Sequence, residues 1–115
     1  MSQAIIETDK GVDITLTRGD TLFLPLLLKK GDDVYIPAEG SSIRFAMKEK
    51  YKDPDEAVLI VKSIPIDTLL LELEPEDTKP LEMKKTYVYD IELTDEAGHV
   101  DTFMSGKFTI GEEVM

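Results

Sequence analysis

The fold of this chain is decided by the stretch Lys85-Thr-Tyr-Val-Tyr-Asp-Ile-Glu-Leu-Thr94, then Asp95-Glu-Ala-Gly98, then His99-Val-Asp-Thr-Phe-Met-Ser-Gly-Lys-Phe-Thr-Ile110. Apolar and polar side chains alternate in the first segment, which is the period of a strand with one buried face. The residues predicted to point into the core are Tyr87, Tyr89, Ile91 and Leu93, then Val100, Met104, Phe108 and Ile110. Four turn-forming residues, with Gly98 suited to a left-handed conformation, predict that the segments form a β-hairpin.

Outward from this hairpin, short apolar pieces alternate with turn signals along the whole chain. Their predicted inward faces are Val12, Ile14 and Leu16; Leu22, Leu24, Leu26 and Leu28; Ile43, Phe45 and Met47; and Leu69, Leu71 and Leu73. Such spacing predicts an all-β sandwich or barrel. A single helical turn is expected near residues 75–79, because proline and acidic residues favour a helix start and Pro80 should end it.

Length and residue usage predict one domain over residues 1–115. The chain has 115 residues, 42% of them hydrophobic, and is long enough to bury a core without disulfides or metals. It has no cysteine, and its N-terminus lacks the basic and apolar regions of a signal peptide. The longest apolar run, residues 22–28, contains Pro25 and is too short to cross a membrane. We therefore expect neither a signal peptide nor contact with a membrane.

The chain is strongly acidic, with 24 acidic against 13 basic residues and a formal net charge of −11. This exceeds the roughly 2–8 units that are usual for a small domain. Nucleic-acid binding is not expected, because it depends on lysine and arginine that displace counterions from phosphates. The acidity serves solubility, or it steers the protein toward a basic partner surface.

The residues that usually carry catalysis or bind metals form no recognisable pattern. His99 is the only histidine, and no serine lies in a nucleophile-elbow context. Two acidic clusters lack calcium-loop spacing and are interpreted as solvated turns; they are Asp53, Asp55 and Glu56, and Asp95, Glu96 and Asp101. One histidine without cysteine cannot supply a zinc site. We expect no enzyme, no cofactor and no metal.

A candidate interface lies on the outer side of the second apolar piece. If its four leucines fill the core, Phe23 and Leu27 face outward on either side of Pro25. Burying one such side chain contributes about 1.5–3 kcal/mol to an association before ordering costs. One interpretation is a protein–protein contact. The other is that Phe23 and Leu27 are covered within the monomer, by a sheet or by an N-terminal strand at residues 5–6.

Tyr87 is a candidate structural residue near the start of its strand. In immunoglobulin-like sandwiches, a tyrosine at this place folds back so that its hydroxyl meets upstream backbone, forming a tyrosine corner. The helical turn before Tyr87 gives about the required spacing, with Tyr89 in the core. The alternative is that Tyr87 and Tyr89 are two ordinary strand tyrosines.

Several of these pieces, in this order, resemble a known family. They are Thr15-Leu-Thr-Arg-Gly-Asp-Thr-Leu-Phe-Leu-Pro-Leu26, Ser42-Ile-Arg-Phe-Ala-Met-Lys48, Glu74-Pro-Glu-Asp-Thr78, Tyr87-Val-Tyr-Asp-Ile-Glu-Leu-Thr-Asp95 and Gly106-Lys-Phe-Thr-Ile110. The chain resembles, over residues 15–110, the small immunoglobulin-like β-sandwich proteins and domains of phage and prophage tail or baseplate modules. One related type is the N-terminal domain of phage baseplate upper proteins.

The resemblance implies an immunoglobulin-like sandwich of about seven or eight mostly antiparallel strands. It also implies a non-enzymatic role in virion or tail assembly, in the virion or the bacterial cytoplasm. The partners would be other phage structural proteins or further copies of the chain. The family offers no catalytic or ligand-binding residues to transfer, and this chain carries no additional receptor-binding domain.

A ligand-binding sandwich of the carbohydrate-binding type is the alternative function. Such modules stack sugars on exposed aromatic rings, and the absence of tryptophan disfavours this class. Tyr35 and Tyr51, both near turns, are the available stacking platforms. Sugar titration followed by tyrosine fluorescence would distinguish the two functions.

Overall fold

The computed structural model describes residues 13–30 and 33–112 of the chain. In this part the regular secondary structure is almost entirely β-strand. The strands are β1 (Ile14–Thr17), β2 (Leu22–Pro25), β3 (Lys29–Lys30), β4 (Asp33–Val34), β5 (Ser42–Lys48), β6 (Ile60–Ile64), β7 (Leu70–Leu73), β8 (Lys85–Thr94) and β9 (Val100–Gly111). A 3₁₀ turn occupies Asp55–Ala57, and the one α-helical turn is α1, Pro75–Thr78. The all-β expectation and the helical turn near residues 75–79 are both confirmed.

The larger sheet has five strands in the order β1-β9-β8-β5-β6. Its centre is the β8–β9 hairpin, as the alternation of residues 85–110 predicted. The connecting turn is closed by two features: Gly98 has a φ of 88°, and its N–H donates to the Asp95 carbonyl at 3.0 Å. All four predicted core residues of β8 are buried, so its period-two pattern translates directly into one inward face.

The β9 strand departs from simple alternation at a β-bulge. Ile91 pairs with Met104 whereas Glu92 pairs with Thr102, so Phe103 is an extra residue on β9. The extra residue reverses which side chains face the core, because strand neighbours point to opposite faces. Phe103 and Met104 are therefore both buried, and Val100 is 61% exposed. The expectation that Val100 points into the core was wrong for this reason.

The described strands pair antiparallel with one exception, and their number is slightly above the expected seven or eight. The β1 strand runs parallel to β9, with Ile14 opposite Phe108, while every other pairing in the described residues is antiparallel. Nine strands occur in the described part, of which β3 and β4 have two residues each. Parallel pairing requires a long crossover connection, and here the rest of the described chain lies between β1 and β9.

The β2 and β7 strands form a separate two-stranded antiparallel sheet, and β3 pairs with β4. Leu71 and Leu73 of β7 are fully buried, and Leu26 and Leu28 are buried just after β2. These leucines belong to the same hydrophobic cluster as the inward residues of the five-stranded sheet. At its centre, the Phe45, Tyr89 and Phe108 rings have centroids 5.6–6.2 Å apart. Both sheets therefore depend on one core.

A hydrogen bond connects two crossovers between the sheets. Gly19, between β1 and β2, donates its N–H to the Thr78 hydroxyl of α1 at 2.7 Å. Thr78 is fully buried, and α1 follows β7 and precedes β8. Asp77 of α1 accepts a hydrogen bond from the Glu74 N–H at 2.7 Å and pairs with Lys62 of β6 at 2.9 Å. No helix in the described residues is long and apolar enough to cross a membrane.

Candidate functional site

Phe23 lies on the outer face of the two-stranded sheet, where it is 59% exposed. Its cross-strand partner is Glu72, and the next outward pair along the sheet is Pro25 with Leu70. Pro25 and Leu70 are half-buried, as is Leu27 beyond the end of β2. We call Phe23, Pro25, Leu27 and Leu70 the Phe23 face. Within the described residues Phe23 remains exposed, and the N-terminal strand considered as its cover lies outside them.

The outer face of the five-stranded sheet is polar and carries a folded-over loop. Residues 49–59, which connect β5 to β6, are tied back onto this face by two side chains. Tyr51 donates its hydroxyl to the Gly106 carbonyl at 3.0 Å, so its side chain crosses β8 to reach β9. Lys48 donates to the Asp53 carbonyl at 3.0 Å and pairs with Asp55 at 3.1 Å.

A groove lies between this loop and the sheet, in two adjoining depressions of about 40 and about 120 Å³. Both contain Ala46, Lys48 and Asp90, and we call the whole feature the Asp90 groove. Ala46 pairs with Asp90 across β5 and β8, so the small alanine side chain leaves space above the sheet. The remaining walls are formed by Arg44, Tyr51, Asp55, Val58, Val61, Val88, Tyr89 and Glu92.

The electrostatics of the groove centre on Asp90, which is half-buried. Removal from water raises the pKa of the Asp90 carboxyl above its usual value, and the nearby charge of Glu92 raises that pKa further. Arg44 and Lys48 act in the opposite direction, but their side chains are bound elsewhere: Arg44 pairs with Glu92 at 2.7 Å and Lys48 with Asp55. Across residues 13–30 and 33–112, the Asp90 carboxylate has no hydrogen-bond donor.

Most residues of the two acidic clusters singled out in the sequence lie in turns, whereas Asp101 lies in β9. Asp53 accepts a hydrogen bond from the Lys50 N–H at 3.1 Å. Asp95 accepts from the N–H groups of Ala97 and His99, at 2.9 and 2.8 Å, and the His99 N–H lowers the pKa of the Asp95 carboxyl. His99 Nδ1 lies 3.1 Å from Asp95 Oδ2 on the exposed turn. The described residues contain no group of three or more acidic or histidine side chains arranged to hold a metal ion.

Three of the four tyrosines considered from the sequence, Tyr35, Tyr51 and Tyr87, occupy different environments. Tyr87 is buried, and its hydroxyl accepts a hydrogen bond from the Glu82 N–H at 3.0 Å. Tyr35 is half-buried with its ring 5.2 Å from that of Phe103, so it contributes to packing. Tyr51 is 57% exposed and forms one wall of the Asp90 groove. Of the two proposed sugar-stacking platforms, only Tyr51 presents its ring at the surface.

Sequence reasoning missed the Asp90 groove. The alternation of β8 places Asp90 on the outward face of its strand, where a carboxylate is expected to be solvated. The signal available in the sequence was the alternation of Ser42, Arg44, Ala46 and Lys48, in which one small residue interrupts longer side chains. Its significance depends on the loop of residues 49–59 folding over the same face.

Comparisons with protein-family models, with curated proteins and with solved structures found no match to this chain.

Proposed function

We propose that this chain is an immunoglobulin-like β-sandwich that acts as a non-enzymatic structural or assembly protein of phage or prophage origin. Its function would be to form protein–protein contacts in a tail, baseplate or related virion structure. The partners would be other phage structural proteins or further copies of itself. The observation that carries the proposal is the exposed Phe23 face on a domain whose remaining large aromatic residues are mostly buried.

Three features of the fold support the immunoglobulin-like part of the proposal. Two β-sheets contribute side chains to one core, as the sheets of a sandwich do. The β8–β9 hairpin at the centre of the larger sheet is flanked by strands from distant parts of the sequence. The Tyr87 hydroxyl accepts a hydrogen bond from backbone five residues upstream, which is the geometry of a tyrosine corner.

The chemistry of the Phe23 face supports a role in protein contacts. Phe23 is exposed beside Pro25 and Leu70, whereas most apolar residues of the two sheets are in the core. Aromatic side chains are enriched at the centres of interfaces, where excluding water stabilises them most. A stable interface buries about 1,200–2,000 Å² in total, so polar surface around the Phe23 face must take part as well.

The phage or prophage part of the proposal is supported by the order of the strand and turn motifs over residues 15–110. A structural protein of a particle needs a rigid domain with a defined contact surface, and it needs no catalytic centre. A formal net charge of −11 opposes loose self-association, so that contacts form only where surfaces match.

The experiment compares Phe23→Thr/Leu27→Thr with the control Val100→Thr. Val100 is also an exposed apolar strand residue, at 61% exposure, but it lies on the outer face of the five-stranded sheet and does not line the Asp90 groove. Threonine keeps the strand propensity at each position. Particles would be purified after induction of the encoding strain, and the amount of this chain per particle would be measured by mass spectrometry.

The double variant is expected to be incorporated at about a tenth or less of the wild-type level, because losing two buried apolar anchors costs at least about 1.4 kcal/mol of association. Val100→Thr is expected to be incorporated normally. Circular dichroism of each purified variant checks that the fold is retained. Absence of the wild-type chain from particles and from their assembly intermediates would end the proposal, as would normal incorporation of the double variant.

A further inference from the structure

The Asp90 groove has the features of a binding site for one extended, positively charged side chain. Its floor is a half-buried carboxylate that lacks a hydrogen-bond donor within the described structure. Two cations and three carboxylates line the larger depression, namely Arg44, Lys48, Asp55, Asp90 and Glu92. The lining therefore has one negative charge in excess, which a single cation from outside would balance.

The apolar lining fits the stem of such a side chain. Ala46 forms the floor beside Asp90, and Val58 and Val61 lie on the wall of the larger depression. A volume of about 120 Å³ is below the roughly 300–1,000 Å³ of pockets that enclose whole small-molecule ligands. Lysine combines a narrow four-carbon stem, which packs against apolar surface, with a compact ammonium group that has three donors.

We propose that the Asp90 groove receives a lysine side chain of a partner protein, with its ammonium group on the Asp90 carboxylate and its stem against Ala46, Val58 and Val61. The groove lies on the outer face of the five-stranded sheet and does not involve the Phe23 face. It therefore defines a second contact surface, and it does not depend on the virion role.

The positions of the neighbouring charges favour Asp90 over the other carboxylates as the receptor. Glu92 is paired with Arg44 at 2.7 Å, and Asp55 with Lys48 at 3.1 Å. An incoming ammonium group would have to break one of these pairs to use Glu92 or Asp55, but it can reach Asp90 without doing so. The acidic character of the whole chain adds long-range attraction for a basic partner surface.

The test is a titration of the full ¹⁵N-labelled chain with Nα-acetyl-lysine N-methylamide, followed by amide chemical shifts. Saturable shifts are expected at Ala46, Val61 and Asp90, with a dissociation constant of about 1–10 mM, because one partly exposed ion pair and a short stem contribute little. The norleucine analogue, which has the stem without the ammonium group, is expected to bind at least about fivefold more weakly.

Three variants separate binding at Asp90 from general attraction to an acidic surface. Asp90→Asn is expected to weaken binding at least about fivefold, and Asp67→Asn, the same charge change in an exposed turn, by less than about twofold. Ala46→Leu keeps every charge but fills the groove, and it should also abolish the localised shifts. Because Asp90 is only half-buried, Asp90→Asn is expected to retain the dispersed spectrum of the folded chain.

Several outcomes would overturn the proposal. Equal binding by wild type and Asp90→Asn would show that Asp90 is not the receptor, and shifts spread over the whole surface would show that no site exists. If the corresponding arginine analogue bound more tightly than the lysine analogue, the groove would be a site for arginine and the proposal of lysine would be wrong. Equal or tighter binding of n-butylamine, which has no backbone amides, would indicate a site for a free amine instead of a protein side chain.

Discussion

The outer faces of the two sheets differ although their inner faces share one core. On the five-stranded sheet, Arg44 and Glu92 form an ion pair across neighbouring strands, and Thr86 lies 3.1 Å from Thr109 between hydroxyl oxygens. On the two-stranded sheet, Phe23 is exposed next to Pro25 and Leu70. The first face is mostly polar and is stabilised by cross-strand pairs, with Val61 and Val100 as exposed apolar exceptions. The second face places Phe23, Pro25 and Leu70 next to one another, so that its apolar surface in contact with water is continuous.

This difference indicates how each face can be used. On a polar face whose charges are paired, a charged ligand binds best where one charged side chain has no partner. In the described part of the five-stranded sheet, Asp90 is such a side chain. An apolar face gains free energy from any partner that removes it from water. The Phe23 face is therefore suited to packing, and the Asp90 groove is suited to recognition of a single charge.

The largest effect is expected for substitutions on the shared inner side, where the two sheets should respond alike. Phe45→Ala in the five-stranded sheet should lower the free energy of unfolding by about 3–5 kcal/mol, and Leu71→Ala in the two-stranded sheet by about 2–5 kcal/mol. Both side chains are fully buried, so each substitution leaves a cavity. Urea unfolding followed by circular dichroism and by tyrosine fluorescence should give one coincident transition.

Val61→Thr is the control for these core variants, with an expected change within about 0.5 kcal/mol because Val61 is exposed. A loss of less than about 1 kcal/mol in Leu71→Ala, well below the usual range for a buried leucine, would contradict the common core. In that case the two-stranded sheet would contribute little to the core. The two sheets, and their outer faces, could then not be compared as parts of one cooperative folding unit.

An intermediate effect is expected where the crossovers between the sheets meet. Thr78→Val should lower the free energy of unfolding by about 1–3 kcal/mol, because the Gly19 N–H loses its acceptor and valine cannot replace it. Thr102→Val, the same change at an exposed strand position, should alter stability by less than about 0.5 kcal/mol. Equal effects of the two variants in urea unfolding would exclude the Thr78 hydroxyl as a connection between the sheets.

The smallest effect is expected at Asp90, and its sign is stabilising at neutral pH. Because the folded state raises the pKa of the Asp90 carboxyl, ionising this group costs the folded state free energy above that pKa. Asp90→Asn should therefore be more stable than wild type at pH 7 by a few tenths of a kcal/mol. As the pH falls through the raised pKa and below the ordinary value of 3.8, the carboxyl becomes protonated and this cost disappears. The free energies of unfolding of wild type and Asp90→Asn should then become equal.

Asp95→Asn provides a control of opposite sign for this pH dependence. The folded state lowers the pKa of the Asp95 carboxyl, so Asp95 stabilises the fold at neutral pH, and that contribution is lost as the pH falls through the lowered pKa. Asp95→Asn should therefore be less stable than wild type at pH 7. Urea unfolding at pH 7 and at pH 3 measures both differences. An Asp90→Asn variant less stable than wild type at pH 7 would contradict a raised pKa of the Asp90 carboxyl in the folded state.

The strands that cross the middle of the protein could be predicted because burial on one face produces a period of two. Tyr87, Tyr89, Ile91 and Leu93 are buried as expected, as are Ile43, Phe45 and Met47 of β5. The same rule failed at Val100, because the bulge at Phe103 shifts the phase of β9. The position of the bulge could not be predicted from the alternation alone, because it depends on the register that pairing with β8 imposes.

The candidate sites could be predicted to different extents. Phe23 follows from the pattern of β2 alone, since the inward leucines leave it on the other face. The Asp90 groove requires Ala46 and Asp90 to be neighbours on adjacent strands and residues 49–59 to cover them. These are contacts between residues more than forty positions apart, and no local pattern encodes them.

Local turn chemistry and side-chain periodicity were sufficient to predict the β character, the central hairpin, the helical turn and the inward side chains of the regular strands. The parallel pairing of β1 with β9, the phase of β9 and the desolvation of Asp90 could be seen only in the folded chain. Each of these depends on which distant segment lies alongside, since hydrogen-bond register and exclusion of water are properties of assembled neighbours.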